Sequence, residues 1–430
     1  MDSAKLFCHM VFLMSLFWGC SSFSVIIGSD SAISKESYVV FSSKDSDNKI
    51  KRFALMEDGF GLRDNATTCT FSSSLSASGE IALNGGTLYL GRDLFLSNVT
   101  TMTSLGDIKA GGCSVELPSA MKRLGGDNGS VSHFDIITLV MNSDITINAP
   151  ICFSGSSFIE GRHNVLTLGS EGKIIIGVDS DLTIKNLIVK GVDDGKIYCM
   201  DDTGVLRLKD AVWFLDNDIT FSHGSFVVDS FWDLCGDGSF IYQSGKTSTI
   251  AARSILRLDE MITFSYDPDS QNKNLIEFID DTSVLQLNGS TLHATVTGMT
   301  LLKGKLLVKK ASSISSEIQG FGSGDEANEG ITFGDSEQNN DFLCEIASGA
   351  TLSLTAGTIN YKNIVRDAWV ANDFSSILDL KSGTRLNLYE TLNFKPGFIN
   401  VGVGAIIARS TGADLFGSLR PEGRYFSIGL

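Results

Sequence analysis

Residues 201–208 read DDTGVLRL and recur almost unchanged at residues 280–287 as DDTSVLQL. In each copy a polar Asp-Asp-Thr step precedes a Leu-x-Leu alternation. The alternation places both leucines on one face of a short strand, because successive side chains point to opposite faces. One such strand cannot bury that face alone, whereas stacked coils bury a continuous aliphatic column. The repeat therefore predicts a β-solenoid.

A second pair of segments carries the same pattern. Residues 344–354 read CEIASGATLSL and residues 378–388 read LDLKSGTRLNL, so each has an apolar alternation, a Ser-Gly bend and a Leu-x-Leu strand. Looser copies are NGGTLYL at residues 84–90 and EGKIII at residues 171–176. The chain contains 44 glycines and only 5 prolines. This balance favours many tight bends between paired strands, since Gly reaches positive φ at low cost and Pro breaks ladders.

Sharp bends are predicted inside some strands. In residues 181–191, DLTIKNLIVKG, the apolar alternation slips at Asn186. Asn tolerates the left-handed conformation, so we expect Asn186 to bend the chain between two short strands. The Asn288-Gly289 and Ala356-Gly357 steps are predicted to do the same. A polar stretch at residues 267–274 is expected to form a loop.

This pattern resembles the right-handed parallel β-helix superfamily, which includes pectin-lyase-like enzymes, phage tailspikes and autotransporter passengers. The resemblance covers roughly residues 65–410 and implies an all-β fold, a right-handed parallel β-helix with irregular loops and end caps. Tandem antiparallel β-sandwich domains are the alternative. We expect an N-terminal segment and cap at residues 23–64, the β-helix body at 65–410 and a C-terminal cap at 411–430, since solenoids need protected ends.

The first 22 residues have the form of a secretory signal. Lys5 precedes an apolar run from Leu6 to Trp18, and small residues follow. The sequence therefore predicts a cleaved signal peptide and a secreted, periplasmic or cell-surface protein. The Gly-Cys step at Cys20 allows lipidation as an alternative, although the bulky Trp18 departs from a lipoprotein signal. No later segment has 18 uninterrupted apolar residues, so we expect no transmembrane helix in the mature chain.

The net charge and the cysteines limit the classes of partner and metal site that the sequence supports. The formal net charge of −16 argues against nucleic acid and anionic membranes as partners, and it leaves Ca²⁺ as an ion that the surface could collect. The cysteines beyond the signal form no CxxC pair, which argues against a zinc site. They allow either disulfides or buried thiols. These cysteines are Cys69, Cys113, Cys152, Cys199, Cys235 and Cys344.

The Asp-Asp pairs suggest catalysis at first sight. Polygalacturonase-type enzymes combine such a pair with Asn-Thr-Asp, Gly-His-Gly and Arg-Ile-Lys motifs, and this chain has none of those three. Its nearest fragment is Ser222-His223-Gly224. Glycoside hydrolysis needs two carboxyls facing one substrate, but neighbouring residues of a strand point to opposite faces. We therefore interpret the repeated pairs as polar bends and assign no catalytic residue.

Five residues are candidates for binding. Asp229, Asp233 and Asp237 are spaced by four around Phe231-Trp232, and pectate-type lyases bind Ca²⁺ with an aspartate cluster. Ordinary surface carboxylates are the alternative. Trp213 and Trp232 could stack on sugar rings, with packing in the core as the alternative. We assign no metal ligand and expect no cofactor other than Ca²⁺.

The sequence favours a secreted or surface-attached β-helix protein that acts in adhesion, surface binding or structure without catalysis. Its expected partner is a glycan or another ligand on a host or cell surface. The alternative is a carbohydrate-active β-helix enzyme, either a polysaccharide lyase or a glycoside hydrolase, with a non-standard site. The pattern leaves the ligand and the oligomeric state open.

Overall fold

A computed structural model describes residues 54–56, 59–61, 68–71, 75–82, 87–90, 93–125, 130–317, 330–424 and 426–429. These residues are all-β, contain no helix and form parallel strands stacked as a β-solenoid. The antiparallel exceptions among them are the β1–β2 pair and an isolated bridge between Asp335 and Asn340. The parallel β-helix fold is therefore confirmed, and tandem antiparallel sandwiches are ruled out. The predicted signal at residues 1–22, with Cys20, lies outside the described residues.

The chain divides into two compact units, residues 1–187 and 188–430. The strands that lie in the first unit or reach its end are β1 (Ala54–Met56), β2 (Gly59–Gly61), β3 (Thr68–Phe71), β4 (Leu75–Ala82), β5 (Thr87–Leu90), β6 (Leu94–Ser104), β7 (Asp107–Lys109), β8 (Ser114–Leu117), β9 (Arg123–Leu124), β10 (Ser132–Asp135), β11 (Thr138–Met141), β12 (Ile145–Ile147), β13 (Pro150–Ser154), β14 (Ser156–Glu160), β15 (Val165–Leu168), β16 (Lys173–Ile176) and β17 (Asp181–Val192).

The strands of the second unit that follow β17 are β18 (Ile197–Cys199), β19 (Val205–Leu215), β20 (Ile219–Phe221), β21 (Ser225–Val228), β22 (Phe231–Gly236), β23 (Ser239–Tyr242), β24 (Ser248–Ile250), β25 (Ile255–Leu258), β26 (Thr263–Tyr266), β27 (Ile276–Phe278), β28 (Val284–Leu287), β29 (Thr291–Ala294), β30 (Met299–Leu301), β31 (Lys305–Val308), β32 (Ser312–Ser316), β33 (Ile331–Phe333), β34 (Leu343–Ile346), β35 (Thr351–Ala356), β36 (Thr358–Tyr361), β37 (Trp369–Ala371), β38 (Ile377–Leu380), β39 (Arg385–Leu388), β40 (Leu392–Val401), β41 (Ile406–Arg409), β42 (Leu415–Pro421) and β43 (Phe426–Gly429).

Aliphatic columns form the core of the first unit. The register of the parallel strands aligns Val115, Leu139, Ile159 and Ile184 on four consecutive coils, and all four side chains are buried. Strands β8, β11 and β14 alternate buried and more exposed positions, whereas β17 has three buried residues in succession at residues 182–184. In the alternating strands, the period of two selects one face for the core, as the sequence pattern predicts.

The second unit repeats this arrangement in three stacked columns. One column contains β22, β25, β28, β31, β34 and β37, and another runs from β20 through β23 and β26 to β42. The third contains β21, β24 and β27 and continues from β30 to β43. The repeated leucines of the sequence, Leu206 with Leu208 and Leu285 with Leu287, are all buried. Leu285 lies in register with Leu256 before it and with Leu306 after it. Leu206, in contrast, lies in register with Phe226 on β21, so the two copies of the repeat belong to different columns. The sequence repeat therefore marks the same unit of bend and strand, used at different positions of the coil.

The repeated Asp-Asp-Thr step is a bend, as predicted. The Asp201 carboxylate accepts hydrogen bonds from the Thr203 amide at 2.9 Å and from its hydroxyl at 2.6 Å. Asp280 accepts the same two bonds from Thr282, at 2.8 and 2.5 Å. These bonds lower the pKa of both carboxyls, because they favour the charged form. The first aspartate of each pair thus fixes a turn that leads into the next strand.

The other predicted bends are also confirmed. Asn186 has φ = 49°, which is left-handed and lies at the kink inside β17. Gly289 and Gly357 have φ = 91° and 73°, so their backbones adopt conformations that favour glycine. A Cβ on Gly357 would stand 2.1 Å from the Ser316 carbonyl oxygen, so the bend also requires the absence of a side chain.

Candidate functional site

The three candidate aspartates do not converge on one point. Asp229 and Asp237 are exposed and lie on either side of β22, and Asp229 pairs with Lys209 at 3.5 Å. Asp233 lies within β22 and is only 2% exposed. Ligands of one Ca²⁺ ion must lie about 2.3–2.6 Å from it and therefore close to one another. Among the described residues, the group of possible cation ligands that contains Asp233 includes Cys235 and Asp259 but neither Asp229 nor Asp237.

Asp233 instead belongs to a hydrogen-bonded ion cluster on neighbouring coils. Arg257 lies beside it in register on β25 and donates from Nε to Oδ1 at 2.8 Å and from a terminal nitrogen to Oδ2. The Cys235 thiol donates to Oδ2 of Asp259 at 3.6 Å, and the Asn288 amide donates to Oδ1 of Asp259. Each of these five side chains therefore makes at least one hydrogen bond to another of them.

This cluster has the composition of a cation site. Asp233, Cys235 and Asp259 each offer one ligand atom, and these atoms lie within 4.8 Å of one another. The Arg257 guanidinium already neutralises Asp233, however, and its own pKa is raised by that contact. Burial and the two carboxylates raise the pKa of the Cys235 thiol to about 12, so the thiolate that a soft metal needs is disfavoured. We interpret the cluster as a bond between coils.

Sequence reasoning missed Arg257, Cys235 and Asp259 as partners of Asp233. Arg257 follows Asp233 by 24 residues, which is the length of that coil. The neighbouring coil is longer, since Arg257 aligns with Gln286, 29 residues further on. Unequal coil lengths hide the register, so residue spacing alone does not reveal the contact.

The two candidate tryptophans lie in the core. Trp213 and Trp232 are 1% and 0% exposed, and their rings meet edge to face with centroids 5.2 Å apart. Phe226 and Phe240 also pack against Trp232. Among the described residues, neither indole N–H has a hydrogen-bond partner. These rings fill space between strands, which is the alternative that the sequence left open, and they offer no face to a ligand from solvent.

A polar cleft opens on the surface of the second unit. Its volume is about 350 Å³, and its walls combine amide, hydroxyl and charged side chains with a few apolar groups. Glu277 and Lys303 place one negative and one positive charge at the cleft. The lining residues are Thr247, Asn272, Asn274, Ile276, Glu277, Phe278, Thr300, Leu302, Lys303 and Asn340. The walls of this cleft come from four separate coils, so no single stretch of sequence indicates it.

The cleft coincides with a break in a column of strands. Parallel ladders join β21 to β24 and β24 to β27, and they resume from β30 through β33, β36 and β39 to β43. Among the described residues no ladder joins β27 to β30. The loop before β27 bonds the edge of β30 instead, since the Thr300 amide donates to the Lys273 carbonyl at 2.6 Å. The cleft therefore lies where a loop contact replaces the ladder between two consecutive coils.

Buried tyrosines hold the loops that line the cleft. The Tyr266 hydroxyl donates to the Asn272 carbonyl at 2.6 Å and accepts from the Leu275 amide at 3.1 Å. Tyr242 donates to the Lys246 carbonyl in the same way. Both phenol rings are fully buried, and burial raises the pKa of Tyr242 to about 12, so it remains a donor at neutral pH. The positions of Asn272 and Thr247 are thus tied to the core.

A second polar cluster lies at an exposed corner. Nδ1 of His223 stands 3.1 Å from Oδ1 of Asp202, and Nζ of Lys246 stands 3.9 Å from Oδ2 of the same carboxylate. All three side chains are about half exposed. An imidazole within hydrogen-bond reach of a carboxylate is an arrangement that general acid–base catalysis uses. The register of the coils therefore assembles an acid–base group from residues that are far apart in sequence.

The five cysteines whose side chains the structure describes form no disulfide. Cys152, Cys199 and Cys344 are buried, while Cys113 and Cys235 are partly exposed. Burial raises the pKa of Cys199 to about 12, which makes this thiol a poor nucleophile. Of the two alternatives for these five cysteines, the structure therefore has thiols rather than disulfides.

Fold and site together define a parallel β-solenoid with a polar cleft at a break in one strand column. Comparisons with models of protein families, with curated proteins and with solved structures find no match. In the part of the chain that the structure describes, no helix has the length and apolar character needed to cross a membrane.

Proposed function

We propose that this chain is a non-catalytic β-solenoid that attaches to a ligand on another surface, in adhesion or surface binding. The cleft between β27 and β30 is the observation that carries the proposal. It combines concave shape, convergent polar groups and rigid walls, which are the general properties of a ligand site. We further propose that the chain is secreted or displayed at a cell surface, and that it belongs to the pectin-lyase-like group of β-helices.

The rigidity of the walls supports binding. The tyrosine hydroxyls fix two of the loops, and parallel ladders fix the strands on both sides of the break. A site that is already ordered loses little conformational entropy when a ligand binds. The pair of opposite charges, Glu277 and Lys303, suits a ligand without large net charge.

The test is a binding screen of the purified chain on a glycan array and on an array of short peptides, each with and without Ca²⁺. We expect saturable binding to at least one class of ligand, and at least a tenfold loss of affinity in the variant N274A/E277A. The matched control is Gln286→Ala, which removes an amide from the neighbouring column outside the cleft. Absence of binding on both arrays would overturn the proposal.

A carbohydrate-active enzyme is the second candidate, and the Asp202–His223–Lys246 cluster favours it. These groups supply a carboxylate, an imidazole and an ammonium at one exposed corner. A lyase requires a base that removes a proton, and a hydrolase requires an acid and a base. Incubation with acidic and neutral polysaccharides tests this candidate. Turnover that is lost in Asp202→Asn and in His223→Ala would replace the binding function by catalysis, whereas no turnover would eliminate the candidate.

A further inference from the structure

We propose that β42 is an interface between two copies of this chain, in which the two β42 strands pair antiparallel about a two-fold axis at Gly417. The inference is independent of the cleft, since it concerns how the chain assembles. β42 is the last strand of its column: it pairs with β40 on one side, and no described strand pairs with its other side. Such a free edge presents a row of backbone N–H and C=O groups with which another chain can pair.

The core column that leads to β42 ends on an uncovered leucine. Leu352, Leu378 and Ile399 lie in register on successive strands, and each is 0% exposed. Leu419 is next in register and is 40% exposed. It belongs to the same inward-facing row, so it is exposed because no described strand packs beyond it. Another strand in this position would remove the leucine from water.

The free edge of β42 carries unpaired backbone groups at every second residue. The Asp414 carbonyl and the Glu422 amide both bond to β40, each at 2.9 Å. Because backbone groups alternate in direction along a strand, the even-numbered residues of β42 point towards β40. The odd-numbered residues Leu415, Gly417 and Leu419 therefore point to the free edge, and no described residue bonds their backbone groups there.

The sequence of this edge is complementary to itself in an antiparallel pair. With Gly417 opposite Gly417 of the second copy, Leu415 lies opposite Leu419, and these are the residues whose backbone groups are unpaired. The two leucines share the inward face, because they are four residues apart in one strand. The same register places Asp414 opposite Arg420, and opposite charges in directly facing positions stabilise a strand pair. The two-fold axis makes each of these contacts twice.

The two charges are available for such a contact. The Arg420 guanidinium stacks on the Phe398 ring, 3.2 Å from its centroid, and forms no ion pair with any described residue. The Asp414 side chain is 63% exposed, and its nearest cation is Arg409 at 3.7 Å. An exposed pair at that distance is weak, because water screens it. Charge complementarity therefore favours a second copy of this chain as the partner of β42.

The experiment measures self-association of the full chain by sedimentation velocity over a series of concentrations. We expect an equilibrium between monomer and dimer. The single variants D414R and R420D each place like charges opposite one another, and each should raise the dissociation constant of the dimer at least tenfold. The double variant D414R/R420D restores both pairs with the signs exchanged, so its dissociation constant should return to within about threefold of the wild type.

Two further samples test whether the charges pair as the two-fold axis requires. An equimolar mixture of D414R and R420D should form a heterodimer, because each chain then offers the charge that the other lacks. The matched control is Lys310→Glu, which changes the net charge by as much as R420D but lies in an exposed ion pair with Glu260, outside β42. It should leave the dissociation constant unchanged. Hydrogen exchange at residues 415–419 should slow as the concentration of the wild type rises.

Three outcomes would overturn the interface. The first is a wild-type chain that sediments as a monomer at every concentration. The second is a dimer that Lys310→Glu weakens as much as R420D, because net charge and not strand pairing would then control assembly. The third is growth beyond the dimer, since a two-fold pair is closed. The melting temperature of each variant is measured alongside, so that loss of association is not confused with loss of structure.

Discussion

The carboxylate of Asp233 lies against the guanidinium of Arg257 on the next coil, with Nε 2.8 Å from Oδ1 and a second donor on Oδ2. The Asp233 side chain is 3% exposed and that of Arg257 is 33% exposed. The pair therefore links two coils through a carboxylate that water hardly reaches. The Phe231 ring, 5.1 Å from the guanidinium, covers one side of the contact.

Arg257→Ala should destabilise the second unit by about 3–5 kcal/mol, because it leaves a buried carboxylate without a partner. The double variant D233L/R257M should recover most of that loss, since it removes both charges together. Denaturant unfolding followed by circular dichroism measures both. The control is Lys209→Ala, which removes the partner of exposed Asp229 and should cost less than about 1 kcal/mol. Equal effects of the buried and exposed pairs would contradict this account.

The bends at Asp201 and Asp280 predict that the stability of the fold depends on pH. Hydrogen bonds from Thr203 and Thr282 lower the pKa of Asp201 and Asp280 below the ordinary value of an aspartate. Because the folded pKa is the lower one, the stabilisation is fully present above about pH 4 and is lost as pH falls through the folded pKa. Melting temperatures between pH 2 and 7 should fall less steeply with acid in D201N/D280N than in the wild type.

The neighbouring carboxyls provide the matched control for that series. Asp281 follows Asp280 directly but accepts none of the Thr282 bonds that fix the turn. Asp281→Asn should therefore leave the acid side of the melting curve unchanged. A change as large as that of Asp280→Asn would mean that net charge, rather than the turn, controls acid stability.

The sequence predicts the fold because its signal is local and periodic. Leu-x-Leu selects the buried face, and Asn186, Gly289 and Gly357 mark bends through conformations that few other residues adopt. The same local chemistry identifies Asp201 and Asp280 as turn residues. None of these inferences needs to know which coil lies next to which.

The site was not predictable in the same way, because it depends on register between coils of unequal length. Asp233 meets Arg257 after 24 residues, whereas His293 meets Ser315 after 22 and Thr295 meets Asp267 after 28. The coils differ in length because their loops differ in length, and the sequence pattern does not show where each coil begins and ends. The break between β27 and β30 likewise results from a missing ladder, which has no residue motif of its own.

Tyr266→Phe should loosen the loop at residues 267–275. The change removes the hydroxyl that accepts from the Leu275 amide and donates to the Asn272 carbonyl, so a buried N–H is left unpaired at a cost of about 1–3 kcal/mol. Hydrogen exchange measured by mass spectrometry should show faster exchange in that loop. Tyr361→Phe is the control, since its hydroxyl bonds the Val365 carbonyl in a loop that does not line the cleft. Unchanged exchange in Tyr266→Phe would show that the loop holds its position without the tyrosine.

Variants of Trp232 test whether its ring acts in core packing or in ligand binding. Its ring is fully buried and packs edge to face on Trp213, while its indole N–H has no hydrogen-bond partner in the part of the chain that the structure describes. Trp232→Ala should cost about 3–5 kcal/mol through loss of contacts and a cavity. Trp232→Phe keeps an aromatic ring and removes an unpaired N–H whose burial costs about 1–3 kcal/mol, so its net loss of stability should be much smaller.

Denaturant unfolding of the two Trp232 variants measures this difference, and the same samples test the role of the ring in binding. Because no face of the indole reaches solvent, Trp232→Phe should leave affinity for any ligand of the cleft within about twofold of the wild type, since distant and independent sites do not couple. A tenfold loss of affinity in a variant that remains as stable as the wild type would contradict a purely structural role. It would mean that the core opens to admit a ligand, because a ring buried among Phe226, Phe240 and Trp213 can contact one in no other way.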